Sequence, residues 1–425
     1  MQSKLPVPQW LWLAALSLAP TPVAAQAADA GTITAQQTTS KSTGPISGWE
    51  ELLDRLRVLP HDLLAKLPPE ERDDPQFRAE VGQLMLASLA SSALTALNSD
   101  GDHPAFVPLF GQVLNLARPN ADTIYRTAEI TPGGTYRLRG RAGTATLVKI
   151  GEGGSATYHD LNALPVDKEG RYDVILSPER PGDYKGAWWK TARRTSSLLL
   201  RMVSNDWGSE TDPTVSIERI DRPVRRPRPS AAELEARLRK LPQVVSSLAK
   251  MRMGWITQLR QQGFLHKPKL MQYSEAGLLV GQAYYEAAYD LKDDEALLIE
   301  TEVPKRCPYH SIILTTEMGG TVDWTNNHSS LNGSQITVDR DGILRIVVSA
   351  RDPGVLNWLD TAGYSQGGIQ GRWTDCSSQP VPKMRKIALS KVRKFLLPET
   401  PVVTPEQRER IVRERRAAFQ QRPLW

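Results

Sequence analysis

One string of this chain recurs at a fixed distance. Val166-Asp167-Lys168-Glu169-Gly170 is followed by Val174-Ile175-Leu176-Ser177 and Pro181, and Val338-Asp339-Arg340-Asp341-Gly342 by Ile346-Val347-Val348-Ser349 and Pro353. The differences 342−170, 349−177 and 353−181 are all 172, and Pro132 and Pro304 stand at the same offset. Downstream, Trp188 matches Trp358 at 170 and Arg201 matches Arg372 at 171, so one or two single-residue gaps absorb the drift. A chain of 425 residues is long enough for two or three cores. The recurrence predicts two copies of one β-rich unit, with any ligand site in or between them.

The flanks of these units read as helix and the units themselves as strand. Ser47 and Glu50 form a capping-box pattern before Trp49, Leu52, Leu53 and Leu56, and a second helix is expected over about 75–97. After Pro119 the period changes from 3.6 to 2, as in Thr135-Tyr136-Arg137-Leu138-Arg139, with glycine punctuation that yields about six strands. A Pro/Arg linker spans Asp221 to Pro229. Ser230 and Glu233 then open a helix, which Pro242 is expected to break and restart as far as about Gly263. Thr404-Pro405 starts a last helix. The expected organisation is 1–27 signal peptide, 28–46 flexible leader, 47–118 helical, 119–220 first β unit, 221–281 linker and helices, 282–390 second β unit and 391–425 C-terminal helix. The fold class is α+β: two tandem antiparallel β-sandwich, jelly-roll-like units with helices at their flanks.

Composition and targeting bound the function. The chain is 40% hydrophobic and 24% charged, as globular proteins are, and its net charge of +6 is too modest to call for a nucleic-acid partner. Arg408, Arg410, Arg413, Arg415 and Arg416 concentrate part of that charge. They suit either weak contact with an anionic surface or a solvated helical face, since Glu406, Glu409 and Glu414 are interleaved with them. Lys4, the apolar run Trp10 to Ala19, Pro20 and Ala25-Gln26-Ala27 form a secretory signal pattern. The run is too short to span a bilayer, and no later stretch is expected to span one. A secreted or periplasmic location follows. Cys307 and Cys376 would there either bridge or remain buried thiols.

Chemical signatures are sparse. His-Glu-x-x-His, Cys-x-x-Cys, Gly-x-Ser-x-Gly and a Walker loop do not occur, so no metal-ligand residues are identified and the cofactor is left open. His159 and His328 stand in equivalent places, just before Leu161-Asn162 and Leu331-Asn332, and suit loop histidines bonded to backbone, or a metal-binding or catalytic role. A denser polar and aromatic cluster surrounds the first strand (Asn120, Asp122, Thr123, Tyr125, Arg126) and the last turn and strand of the second copy (Asn357, Trp358, Asp360, Gly363, Arg372, Trp373). Such side chains at a sheet end either bind ligands or cap turns and fill core.

These residues also carry a resemblance. Asn120-Ala-Asp-Thr-Ile-Tyr125-Arg126 with Gly134-Thr-Tyr-Arg-Leu-Arg-Gly140 resembles the first block of a bacterial family known as domain of unknown function 1214. Ser330-Leu-Asn332, Asp352-Pro-Gly-Val-Leu-Asn357-Trp-Leu-Asp-Thr-Ala-Gly363 and Gly371-Arg-Trp373 resemble its last. The resemblance runs from about Asn120 to Pro382 and implies β-sandwich, jelly-roll-like domains, but no catalytic residues. The first copy departs from it, with Ala187-Trp188 where relatives tend to carry Asn-Trp. The combined expectation is an exported protein that binds a small polar or glycan-like ligand through its second unit, with Asn120, Tyr125, Arg126, Asn357, Trp358 and Arg372 as binding residues. The alternatives are an envelope or extracellular hydrolase using Asp122, His328 and Asp360 as acid/base groups, and a structural envelope component.

Overall fold

The computed structural model describes residues 44, 46–98, 100–153, 155, 157–251, 253–272 and 281–423. The signal peptide and nearly all of the leader lie outside the described residues.

Helices α1 (Trp49–Leu64), α2 (Pro69–Arg72), α3 (Pro75–Leu97) and α4 (Ala231–Lys250) form one layer. Its core is made by Leu52, Leu59 and Leu63 of α1, Val81 and Leu84 of α3, and Leu241, Val245 and Leu248 of α4, each at helical spacing. Asp74 caps α3 by accepting from the Gln76 and Phe77 amides. Ser230 and Glu233 make the expected capping box on α4. Two local expectations are corrected. Gly48, in a left-handed conformation, begins α1, and Ser47 accepts from Arg239 instead of capping. Pro242 does not break its helix: α4 runs through it, because packing of Leu241, Val245 and Leu248 outweighs the lost backbone bond. The separate helix α5 (Trp255–Gln261) follows. By length and composition α3 could cross a bilayer, with a mean hydropathy of 1.2. One of its faces, with Val81, Leu84 and Ala87, is buried in the helical layer, as in the core helix of a folded domain.

Unit one contains β1 (Val107–Pro108), β2 (Thr123–Glu129), β3 (Tyr136–Arg141), β4 (Leu147–Glu152), β5 (Tyr158–Asp160), β6 (Arg171–Ser177), β7 (Ala187–Lys190), β8 (Ser197–Val203) and β9 (Ser216–Arg219). Unit two contains β10 (Lys269–Gln272), β11 (Gln282–Asp290), β12 (Glu295–Glu302), β13 (Tyr309–Thr315), β14 (Ser330–Asn332), β15 (Ile343–Ser349), β16 (Trp358–Asp360), β17 (Gln366–Thr374) and β18 (Lys383–Ala388). Their topologies coincide strand for strand. The five-stranded sheets run β1-β2-β8-β4-β5 and β10-β11-β17-β13-β14, and the four-stranded sheets run β7-β6-β3-β9 and β16-β15-β12-β18. The recurring sequence lands in equivalent elements: Ser177 and Ser349 end β6 and β15, and Gly170 and Gly342 occupy the preceding turns at φ 73° and 80°. The protein is thus α+β, with two sandwich-like units and packed helices.

The all-antiparallel expectation needs one amendment per unit, because β7 runs parallel to β6 and β16 to β15. Alternation in sequence reveals a strand but not its direction. Here the chain doubles back after each serine. Ser177 Oγ and Ser349 Oγ donate to carbonyls two residues on and accept from the indoles of Trp188 and Trp358, at 2.9 and 3.0 Å.

Each sandwich has its own core, with Leu138, Ile150, Val174 and Leu200 among others in unit one and Leu297, Ile312, Ile346 and Ile369 in unit two. Strands β11 and β17 are buried along nearly their whole length, so both of their faces are covered. One face meets the unit-two core. The other meets α5, through Ile256, Leu259, Tyr284 and Ala288, and beside it Tyr309 of β13 packs on Leu147 and Val203 of the unit-one five-stranded sheet. Cys307 and Cys376 form a disulfide within unit two. Helix α6 (Pro405–Gln420) carries the expected capping box of Thr404 and Gln407. It is not simply a solvated basic face, because Arg408 and Arg415 are buried while Arg410 and Arg413 stay exposed.

Candidate functional site

The two five-stranded sheets, with the segment from Phe110 to Asn120, border a partly open cavity of about 140 Å³ between the units. Strand register explains its lining. In β2 and β8, Tyr125 pairs with Arg201, and in β11 and β17, Tyr284 pairs with Arg372. All four side chains line the cavity, so each unit contributes a cross-strand Tyr–Arg pair.

Arg372 is 3% exposed. Its guanidinium lies 5.4 Å from the centroid of the Tyr284 ring, donates to Gln370 Oε1 and reaches Asn120 Oδ1 at 3.4 Å. It has no carboxylate partner among the described residues. Arg201, half-buried, donates to the Tyr158 hydroxyl at 3.1 Å and stacks over that ring at 5.3 Å, also with no described ion pair. The carboxylate in the wall, Glu286, belongs to other groups: Arg118 at 3.0 Å, Gln370 Nε2 at 2.6 Å and Trp255 Nε1 at 2.6 Å. Burial pushes the Tyr284 phenol up, and Arg372 beside it and Arg201 across the cavity pull it back. Ala117 and Arg118 enter the rim with φ of 60° and 56°, a left-handed conformation that non-glycine residues adopt at a cost.

Asn120 and Asp122 join the units. The Asn120 amide donates to Tyr309 Oη at 2.6 Å and Thr123 Oγ1 at 3.0 Å. Asp122, 2% exposed, accepts from Tyr309 at 2.6 Å, Asn332 Nδ2 at 2.7 Å and Trp207 Nε1 at 2.9 Å. Burial pushes its carboxyl up, and those three donors pull it back. It does not line the cavity. Its hydrogen bonding is that of a buried cross-link, with both oxygens engaged. Asn332, which also begins an Asn-x-Ser sequence, is fully buried by this contact.

The other expected residues lie elsewhere. Arg126 follows Tyr125 in β2 and therefore points to the opposite face. Burial holds its guanidinium below the ordinary value, and its Nε and Nη2 have no described partner. Asn357 ties a loop, donating to the Thr337 carbonyl at 2.6 Å and accepting from the Thr337 amide at 2.9 Å. Trp358 is core of the four-stranded sheet, packed against Val347, Ile387 and Val392 and covered by Arg408 at 5.0 Å. Asp360 caps a turn by accepting from the Ala362 amide at 2.7 Å, and burial pushes its carboxyl up. His328 donates Nδ1–H to the Trp358 carbonyl at 2.5 Å, and burial holds it well below its ordinary value. His159 instead bonds Glu152 at 3.0 Å and stacks on Trp189.

Of the expected binding set, Asn120, Tyr125 and Arg372 therefore share the cavity, whereas Asn357, Trp358 and Arg126 do not line it. His328 and Asp360 meet through backbone, Asp360 N–H to the His328 carbonyl at 2.9 Å, and Asp122 is bonded to neither. Sequence reading missed Arg201, Tyr284, Gln370 and Tyr309 as lining residues. The Arg201–Arg372 correspondence was the signal available for the first. No cluster of three or more His, Cys, Asp or Glu suited to a metal occurs among the described residues.

No family model and no curated protein matches the chain. Among solved structures, an uncharacterised protein from Burkholderia cenocepacia is similar over 81% of this chain and 98% of its own, with TM-score 0.75 and 25% identity. A protein from Vibrio parahaemolyticus aligns over 72% of this chain and 98% of its own, with TM-score 0.42 and 11% identity.

Proposed function

We propose that this is an exported binding protein whose two β units arose by duplication and hold a small polar ligand in the cavity between them. The observation that carries the reading is Arg372, a buried guanidinium that faces a cavity with no described carboxylate to neutralise it. Burying a charge without its counter-charge is costly, and a bound ligand group removes that cost. This moves the expected site from the second unit alone to the junction of both. Matching strand orders support duplication. The N-terminal signal pattern and the Cys307–Cys376 disulfide support export to an oxidising compartment. Membership of the domain of unknown function 1214 family is retained on the residues that carry the resemblance. The hydrolase alternative has weaker support, because Asp122 is not hydrogen-bonded to either His328 or Asp360 and its oxygens already accept three hydrogen bonds.

The test is a thermal-shift screen of the mature protein against small polar compounds, alongside Leu199→Trp, which fills the cavity. Binders should stabilise the native protein and lose that effect in a folded Leu199→Trp variant. Stabilisation that survives in the variant would locate the ligand elsewhere. Mass spectrometry of the protein from its own cells should find a terminus near Gln26 to Ala28, and an intact Met1 would refute export.

A further inference from the structure

We infer that the ligand is a small organic acid, whose carboxylate lies between Arg372 and Arg201 and whose apolar body rests on Leu147, Leu199 and Val203. The inference rests on the binding reading above and adds the chemical class.

Three observations lead to it. The first is charge. Arg118 and Glu286 neutralise each other at 3.0 Å, which leaves Arg201 and Arg372 without a described counter-charge. Neighbouring phenols do not supply one, since burial pushes both Tyr284 and Tyr309 above the ordinary tyrosine value and leaves them neutral near pH 7. A guanidinium fork is matched by the two oxygens of a carboxylate.

The second is placement. Arg201 and Arg372 occupy corresponding positions in β8 and β17, each opposite a tyrosine, so the two units present one cation each to a shared space. Arg372 is held by Tyr284, Gln370 and Asn120, and Arg201 by Tyr158. Both guanidinia are therefore positioned before any ligand arrives, which lowers the ordering cost of binding.

The third is the remainder of the wall. Leu147, Leu199 and Val203 of unit one form an apolar surface beside the cations. Inorganic phosphate or sulfate would leave the accessible part of that surface, chiefly Leu199, uncovered, and a neutral sugar would leave both charges unmatched. An amphipathic anion satisfies each part.

The experiment measures binding by calorimetry and thermal shift with butyrate, benzoate and succinate, with phosphate and sulfate, and with glucose and glycerol at matched ionic strength. Wild type should bind one or more of the organic acids and neither group of controls. Arg201→Gln, at the half-exposed position, should fold and weaken that binding at least tenfold, while Arg201→Lys should recover part of it. Arg372→Gln should abolish binding if it folds. Preferential binding of phosphate or sulfate would overturn the organic-acid inference, as would an Arg201→Gln variant with unchanged affinity. If glucose or glycerol alone binds and Leu199→Trp blocks it, the cavity reading stands and this inference fails. If no probe binds wild type at millimolar concentration, the inference also fails. Organic-acid binding that persists in Leu199→Trp refutes the cavity reading itself.

Discussion

Replacing Asp122 by Ala tests whether this residue is a cross-link or a catalyst. The carboxylate is 2% exposed and accepts from Trp207 at 2.9 Å, Tyr309 at 2.6 Å and Asn332 at 2.7 Å. Two of those donors, Tyr309 and Asn332, belong to unit two, while Asp122 and Trp207 belong to unit one. Removal leaves three buried donors without an acceptor, at about 1–3 kcal/mol each. Water entering the vacated space recovers part of this, so a net loss of about 4 kcal/mol is expected. At about 2.1 cal/mol/K per residue, unfolding a chain of this size has an entropy near 0.9 kcal/mol/K, and the melting temperature should fall by about 4–5 °C. Asp122→Asn keeps the volume and one acceptor oxygen but turns an amide toward a donor, so it should lie between the two. The assay is calorimetric melting of wild type and both variants. A shift below about one degree for Asp122→Ala would refute the cross-link. A catalytic role would instead show as lost turnover at unchanged stability.

Further outcomes follow from the same structure. Reducing the Cys307–Cys376 disulfide, which closes a separation of 69 residues, should cost about 4 kcal/mol on the chain-entropy account and lower the melting temperature. Cys307→Ser should reproduce the shift without reductant, and no shift in either case would show that the bridge contributes nothing. Ser349→Ala removes one of the two acceptors of the buried Trp358 indole, which keeps the Ser349 carbonyl at 3.2 Å, and takes the hydroxyl donor from the Arg351 carbonyl, so it should cost about 1 kcal/mol, whereas Ser177→Ala should cost less because Trp188 is half-exposed and water can substitute. Equal losses would contradict this difference in burial. Burial pushes Glu317 up to about 7, with Arg260 opposing, so the folded state holds a proton that the unfolded state releases near 4.5. That contribution is fully present below pH 4.5 and is lost as pH rises through about 7. Glu317→Gln should flatten the pH dependence of the melting temperature across that window, and an unchanged profile would refute the assignment.

Much of the architecture was legible in one dimension. The recurring Asp-x-x-Gly turn and the Ser-x-x-x-Pro strand end are local features, set by φ at Gly170 and Gly342 and by alternation in β6 and β15, and their repetition announces two similar units. The caps at Ser230 and Thr404 are likewise local, since each involves residues three apart. Ser47 failed as a cap because a distant residue, Arg239, claimed its hydroxyl.

What only tertiary structure decided is which polar residues face one another. Asn357, Trp358 and Arg372 are close in sequence, yet β16 and β17 belong to different sheets of the sandwich, so Trp358 fills core while Arg372 faces the cavity. Arg201 and Arg372 are far apart in sequence and share that cavity because two sheets pack face to face. Local pattern specifies a residue's strand and its face. The partner across that face is set by long-range packing, where hydrophobic burial and the matching of charges are settled over the whole chain.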